Sequence, residues 1–81
     1  MRFNYTICDT PNEEVFYKQC EALEKRINGL SKAKLLRDVD GSLIQIYNYQ
    51  GLELKVHNCY QVGAVSIVSD FDINPFFPNN S

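Results

Sequence analysis

His57 and Cys59 lie two residues apart and come nearest to a pair that could do chemistry. His57 is the one histidine, and Cys59 is one of three cysteines with Cys8 and Cys20. Such a pair could help hold zinc, or act as base and nucleophile. A structural zinc site needs four ligands, so two more would have to come from Cys8, Cys20 or an acid. No CxxC or HxxxH pair supplies them. Nucleophilic catalysis needs thiol and base within hydrogen-bond reach, which closeness in sequence does not provide. A lone histidine on a strand reads as a solvent-facing side chain, and the expectation is no metal. The cysteines, odd in number and irregularly spaced, are a poor disulfide framework and read as packing residues.

Asp38-Val39-Asp40-Gly41-Ser42 is the second candidate. These five residues resemble the first motif of haloacid-dehalogenase-type phosphatases, where one aspartate attacks phosphate and the other serves as acid and base. That family requires a much larger α/β domain carrying a lysine and further magnesium-binding carboxylates. A chain of 81 residues has no room for it. Nor is the segment an EF-hand loop, which needs glycine at position six and glutamate at twelve. Counted from Asp38, Gly41 is at position four and Tyr49 at twelve. No glycine-rich phosphate loop, GxSxG or paired-carboxylate signature occurs elsewhere. The expectation is a chain that is not an enzyme and uses no cofactor.

Charge offers a binding reading. The net charge is −2, but five cations fall together without an acid: Lys25, Arg26, Lys32, Lys34 and Arg37. With Tyr47 and Tyr49 nearby, this segment could hold phosphates while a sheet face stacks on single-stranded bases. The acidic balance and Glu53 weigh against nucleic acid. Cations at a helix C-terminus or an edge strand also have ordinary structural uses.

The last chemistry is that of an anchor. Asp70-Phe71-Asp72-Ile73-Asn74-Pro75-Phe76-Phe77-Pro78 is aromatic, acidic and bounded by prolines. Phe71, Phe76, Phe77 and Tyr47 could seat in a partner, with Asp70 and Asp72 as a polar rim. The same aromatics could instead fold back and cover a second sheet face.

The elements that would carry these residues are legible in the pattern. Residues 2–8 alternate, with Phe3, Tyr5 and Ile7 on one side, and read as a strand. Thr10, Pro11 and Glu13 read as N-cap, first turn and capping box. Phe16, Cys20, Leu23, Ile27 and Leu30 then step by four, three, four and three, which lines one helix face before Asn28-Gly29 stops it. Asp40-Gly41 reads as a two-residue hairpin turn, pairing Leu35 with Ile46 and Arg37 with Ile44. Tyr49-Gln50-Gly51 reads as a three-residue loop, pairing Ile46 with Leu54 and Ile44 with Val56. A two-residue Gln50-Gly51 turn would instead pair Tyr47 with Leu54. On the three-residue reading the core face holds Ala33, Leu35, Val39, Ile44, Ile46, Leu54 and Val56. Leu36, Leu43, Gln45, Tyr47, Glu53, Lys55 and His57 take the other. Asn58 starts a further turn, and residues 60–69, apolar on both faces, read as an interior strand.

The expected architecture is α+β, β-α-β-β-β-β: one amphipathic helix packed on an antiparallel sheet of four or five strands. Residues 1–78 form one domain and 79–81 a disordered tail. No stretch nears the ~18 apolar residues of a membrane span, and no signal peptide is visible at the N-terminus, so the expected compartment is the cytoplasm. The leading functional expectation is a small protein-binding domain, of the immunity, antitoxin or phage-antagonist kind of inhibitor. Its alternatives are a nucleic-acid module using the basic segment and a structural homodimer.

Overall fold

The computed structural model describes residues 2–76. Strand β1 (Phe3–Cys8) is followed by helix α1 (Glu13–Arg26) and four strands: β2 (Ser31–Arg37), β3 (Leu43–Tyr49), β4 (Leu52–Cys59) and β5 (Ala64–Ser69). A single 3-10 turn, Asn74–Phe76, ends the described chain. The expected disorder of residues 79–81 falls outside the described residues.

The five strands form one antiparallel sheet in the order β1-β5-β4-β3-β2. β1 and β2 are therefore the two edges, parallel to each other with three strands between them. α1 carries the chain back along the sheet from the end of β1 to the start of β2. Its fourteen residues reach about 21 Å, matching strands of six to eight residues at about 3.3 Å each. The helix lies over β4, the central strand. Phe16, Cys20, Leu23 and Ile27 are buried there against Leu43, Tyr47, Leu54, Val56, Val65 and Ile67.

Polar contacts fix both ends of the helix. At its start Asn12, not Thr10, is the cap: its backbone is extended and its Oδ1 accepts the Val15 N–H at 3.2 Å. The choice is made from below, because the Asn12 N–H donates to Oδ1 of Asn58 on β4 at 2.9 Å. Asn58 is wholly buried within β4 and starts no turn. At the other end the Tyr47 hydroxyl donates to Glu24 Oε2 at 2.6 Å, and Lys32 reaches the same oxygen at 3.6 Å. Burial, with Glu24 beside it, pushes the Tyr47 phenol far above its usual range, so it remains a donor. Ile27 closes the helix with extended backbone, one residue before the expected stop at Asn28-Gly29, and leaves Leu30 half-buried outside it.

The two central hairpins exchange the turn types expected of them. Between β2 and β3 the Asp38 N–H donates to the Ser42 carbonyl at 2.9 Å, and the Gly41 N–H to the Asp38 carbonyl at 3.1 Å. That is a three-residue loop with Gly41 at φ 91°, a type I turn ending in a bulge. It pairs Leu35 with Gln45 and Leu36 with Ile44. Between β3 and β4, Gln50 (φ 51°) and Gly51 (φ 82°) both have positive φ, a two-residue type I′ turn pairing Tyr47 with Leu54. Each turn shifts register by one residue, so β3 is inverted relative to expectation. Leu43, Gln45 and Tyr47 go under the helix, while Ile44 and Ile46 face away. The two shifts cancel for β2, which keeps Leu35 on the helix side. Leu35 is still 46% exposed, Ala33 is exposed, and Val39 is a fully exposed loop residue, so none belongs to the core.

Bulges adjust both edges. One between Thr6 and Cys8 turns Cys8 inward and leaves Ile7 exposed. One between Lys32 and Leu35 is filled from inside by buried Gln45, whose Nε2 donates to the Lys34 carbonyl at 3.1 Å. The last strand starts at Ala64 because residues 60–63 form its turn, closed by the Gly63 N–H on the Cys59 carbonyl.

Replacing Tyr47 by phenylalanine keeps the ring but removes the bond to Glu24. It is expected to cost about 1–2 kcal/mol of unfolding free energy, read from urea denaturation. An unchanged midpoint would show that the hydroxyl does not help seat the helix.

Candidate functional site

The aromatic tail is largely occupied within the chain. After β5, Asp70 and Glu53 exchange bonds: the Asp70 N–H donates to the Glu53 carbonyl at 2.9 Å, and the Glu53 N–H to Asp70 Oδ2 at 3.1 Å. Arg2 reaches Asp70 at 3.5 Å. The Tyr5 hydroxyl donates to Asp72 Oδ1 at 2.8 Å and accepts the Ile73 N–H at 3.3 Å. These contacts fold the tail back on the helix side of the sheet, not over the second face. Ile73 is buried in the core, and Phe71 and Phe76 are half-buried against it. Tyr49, Phe71 and Phe76 form a ring cluster with centroids 5.0, 5.8 and 6.2 Å apart. Tyr47 has no exposed surface, so it neither anchors a partner nor stacks on a base. Phe77 lies outside the described residues.

The basic residues are not gathered in one patch. Lys25 and Arg26 sit in the last turn of α1, where they complement the helix dipole. Lys32 is paired with Glu24. Lys34 and Arg37 are exposed along β2, and neither forms an ion pair among the described residues.

What remains open is one edge and one face. All seven residues of β2 are exposed. The face away from the helix carries Leu36, Ile44, Ile46, Lys55, His57, Cys59, Ser66 and Val68, and no second layer of described chain covers it. At its end beside the β2–β3 loop lies a cleft of about 290 Å³. Leu36, Ile44, His57 and Cys59 line it, with Asp38 and Asp40 from the loop. Both carboxylates are engaged in the turn: Asp38 Oδ1 accepts the Val39 N–H and Asp40 Oδ1 the Ser42 N–H.

His57 is half-buried and its Nε2 is shielded from water without a hydrogen-bond partner. Burial, then the neighbouring Lys55 charge, holds its pKa below the usual histidine range. The imidazole and Cys59 share the cleft, but no hydrogen bond joins them. Cys20, on the buried face of α1, has its thiol pushed up by burial and stays protonated. Among the described residues no group of three or more His, Cys, Asp or Glu is placed to hold a metal. No helix among them is long and apolar enough to cross a membrane.

Sequence reasoning put Ile44 on the wrong face, but placed Leu36 on the uncovered face and read the lysines as edge protection. The alternation of lysine with apolar residues in Ser31–Arg37 was the available signal, since it marks a strand that water must reach. Comparison with protein-family models, curated proteins and solved structures finds no match.

Two outcomes follow from this geometry. Phe76→Ala is expected to destabilise the fold by about 1–3 kcal/mol through lost ring contacts and burial. A melting temperature equal to that of the parent would mean the tail is not held by its aromatics. For His57, the folded state resists a proton that the unfolded chain accepts. Its contribution to stability is full above the unfolded pKa of about 6.5 and is lost as pH falls through the depressed folded value. His57→Gln is expected to flatten the fall in urea midpoint between about pH 7.5 and 5.5. Equal slopes in parent and variant would contradict this.

Proposed function

We propose that this chain is a non-enzymatic protein-binding domain, acting as a small inhibitor of the immunity, antitoxin or phage-antagonist type. The observation that carries the reading is β2, an edge strand exposed along all seven residues. It adjoins an uncovered sheet face bearing Leu36, Ile44, Ile46 and Val68. Edge strands present unpaired backbone donors and acceptors, and partner proteins commonly use them by adding a strand. The binding surface of this proposal is therefore the β2 edge, not the aromatic tail, whose described side chains already have partners within the chain.

The test is affinity capture of the tagged chain from the lysate of its own host, through a high-salt wash, with the solution mass of the free chain measured in parallel. A stoichiometric protein partner surviving the wash is expected. Nucleic acid alone, eluting as salt rises, would favour the basic residues instead. A stable dimer of the free chain without a partner would favour a structural homodimer.

A further inference from the structure

We propose that β2 accepts an acidic, extended segment of a partner protein as a sixth strand, a proposal that rests on the protein-binding reading above. The backbone supports it first. Asp38 turns its N–H and carbonyl toward its own hairpin, bonding Ser42 and Gly41. Antiparallel strands alternate inward and outward bonding. Leu36, paired with Ile44, then bonds inward, while Leu35 and Arg37 turn their N–H and carbonyl groups outward. These outward groups form a short straight ladder beyond the bulge at Lys32/Leu35.

The side chains supply the partner's chemistry. Leu35 and Leu36 lie on opposite faces of the edge, each 46% exposed. An added strand would lay alternate side chains beside each of them. On the open face, the side chain next to Leu36 would meet the cleft lined by Ile44 and His57. Lys34 and Arg37 bring two exposed cations without an ion pair among the described residues. An acidic strand would neutralise them.

Charge also argues against a second copy. A second copy would bring its own Lys32, Lys34 and Arg37 to the same edge, adding cations there rather than neutralising those present. The opposite edge is less suitable. Tyr5 on β1 holds the folded-back tail through Asp72, so that edge already has part of its own chain beside it.

The experiment uses the full chain, isotopically labelled, titrated with a short end-capped peptide of alternating glutamate and valine. A peptide of alternating lysine and valine is the control. Binding of the acidic peptide is expected to slow exchange of the Leu35 and Arg37 amides and to shift resonances of β2 and the cleft. The double variant Lys34→Glu/Arg37→Glu is expected to bind it about tenfold more weakly and to gain affinity for the lysine peptide. Leu35→Pro removes an outward N–H and is expected to abolish binding, with amide resonances of β4 and β5 unchanged as the check on folding. Absence of binding, equal affinity for both peptides, or shifts confined to the tail or β1 would overturn the proposal. A lysate partner retained equally by the parent and the charge-reversed variant would remove β2 as its site and leave the protein-binding reading standing. Failure of both peptide binding and capture would remove both.

Discussion

The seating of one helix on one side of a five-stranded sheet governs the rest of this molecule. α1 returns the chain from one edge strand to the other, so it must lie across the strands between them. Its apolar stripe is four residues wide in sequence terms, Phe16, Cys20, Leu23 and Ile27, and all four are buried. Apolar contact alone would let such a helix slide along the sheet. Asn58 beneath the cap and Tyr47 beneath Glu24 fix where it stops. Both sheet residues are wholly buried, so a displaced helix would strip the Tyr47 hydroxyl of its acceptor and Asn58 Oδ1 of its donor, beside an Asn58 Nδ2 that already has no partner among the described residues. The tail completes the same side: Ile73 enters the core, and Phe71 and Phe76 close its lower end against Tyr49.

That arrangement uses up the covering material. One helix and one folded tail lie on the same face, and the other face keeps Ile44, Ile46 and Val68 half-buried among Lys55, His57 and Ser66. β2 stands at the far edge, beyond full reach of the helix, and all its side chains remain in water. In the proposed role its lysines and arginine favour an acidic partner, while Leu35 and Leu36 keep apolar contact available. The binding role proposed for the edge thus follows from how the helix is seated.

The elements of the fold were largely legible in the residues, and their register was not. Period two in residues 2–8 and the four-three stepping from Phe16 to Ile27 gave strand and helix directly. The two hairpins failed together because Asp-Gly and Gln-Gly can each serve two turn types, and burial had to choose. Ile44 and Ile46 are more apolar than Gln45 and Tyr47, so hydrophobicity favoured the face that the structure leaves open. What decided was polar: Tyr47 could reach Glu24, and Gln45 could reach the open carbonyl of the Lys34 bulge. Neither contact is visible before the helix and bulge are placed. The cap moved from Thr10 to Asn12 for the same reason, since its partner Asn58 lies 46 residues away. The aromatic tail invited an interface reading because aromatic, acidic segments near a terminus suit anchors and core plugs equally. Tyr5, legible beforehand only as one of the alternating residues of β1, holds it in place.

The most direct test of an open β2 edge is residue-resolved amide hydrogen exchange on the free chain in solution. Leu35 and Arg37 amides should exchange rapidly, with Leu36 and the amides of β3, β4 and β5 markedly slower. Protection of Leu35 and Arg37 equal to that of Leu36 would mean the outer edge of β2 is already paired, and would contradict an edge left open for a partner.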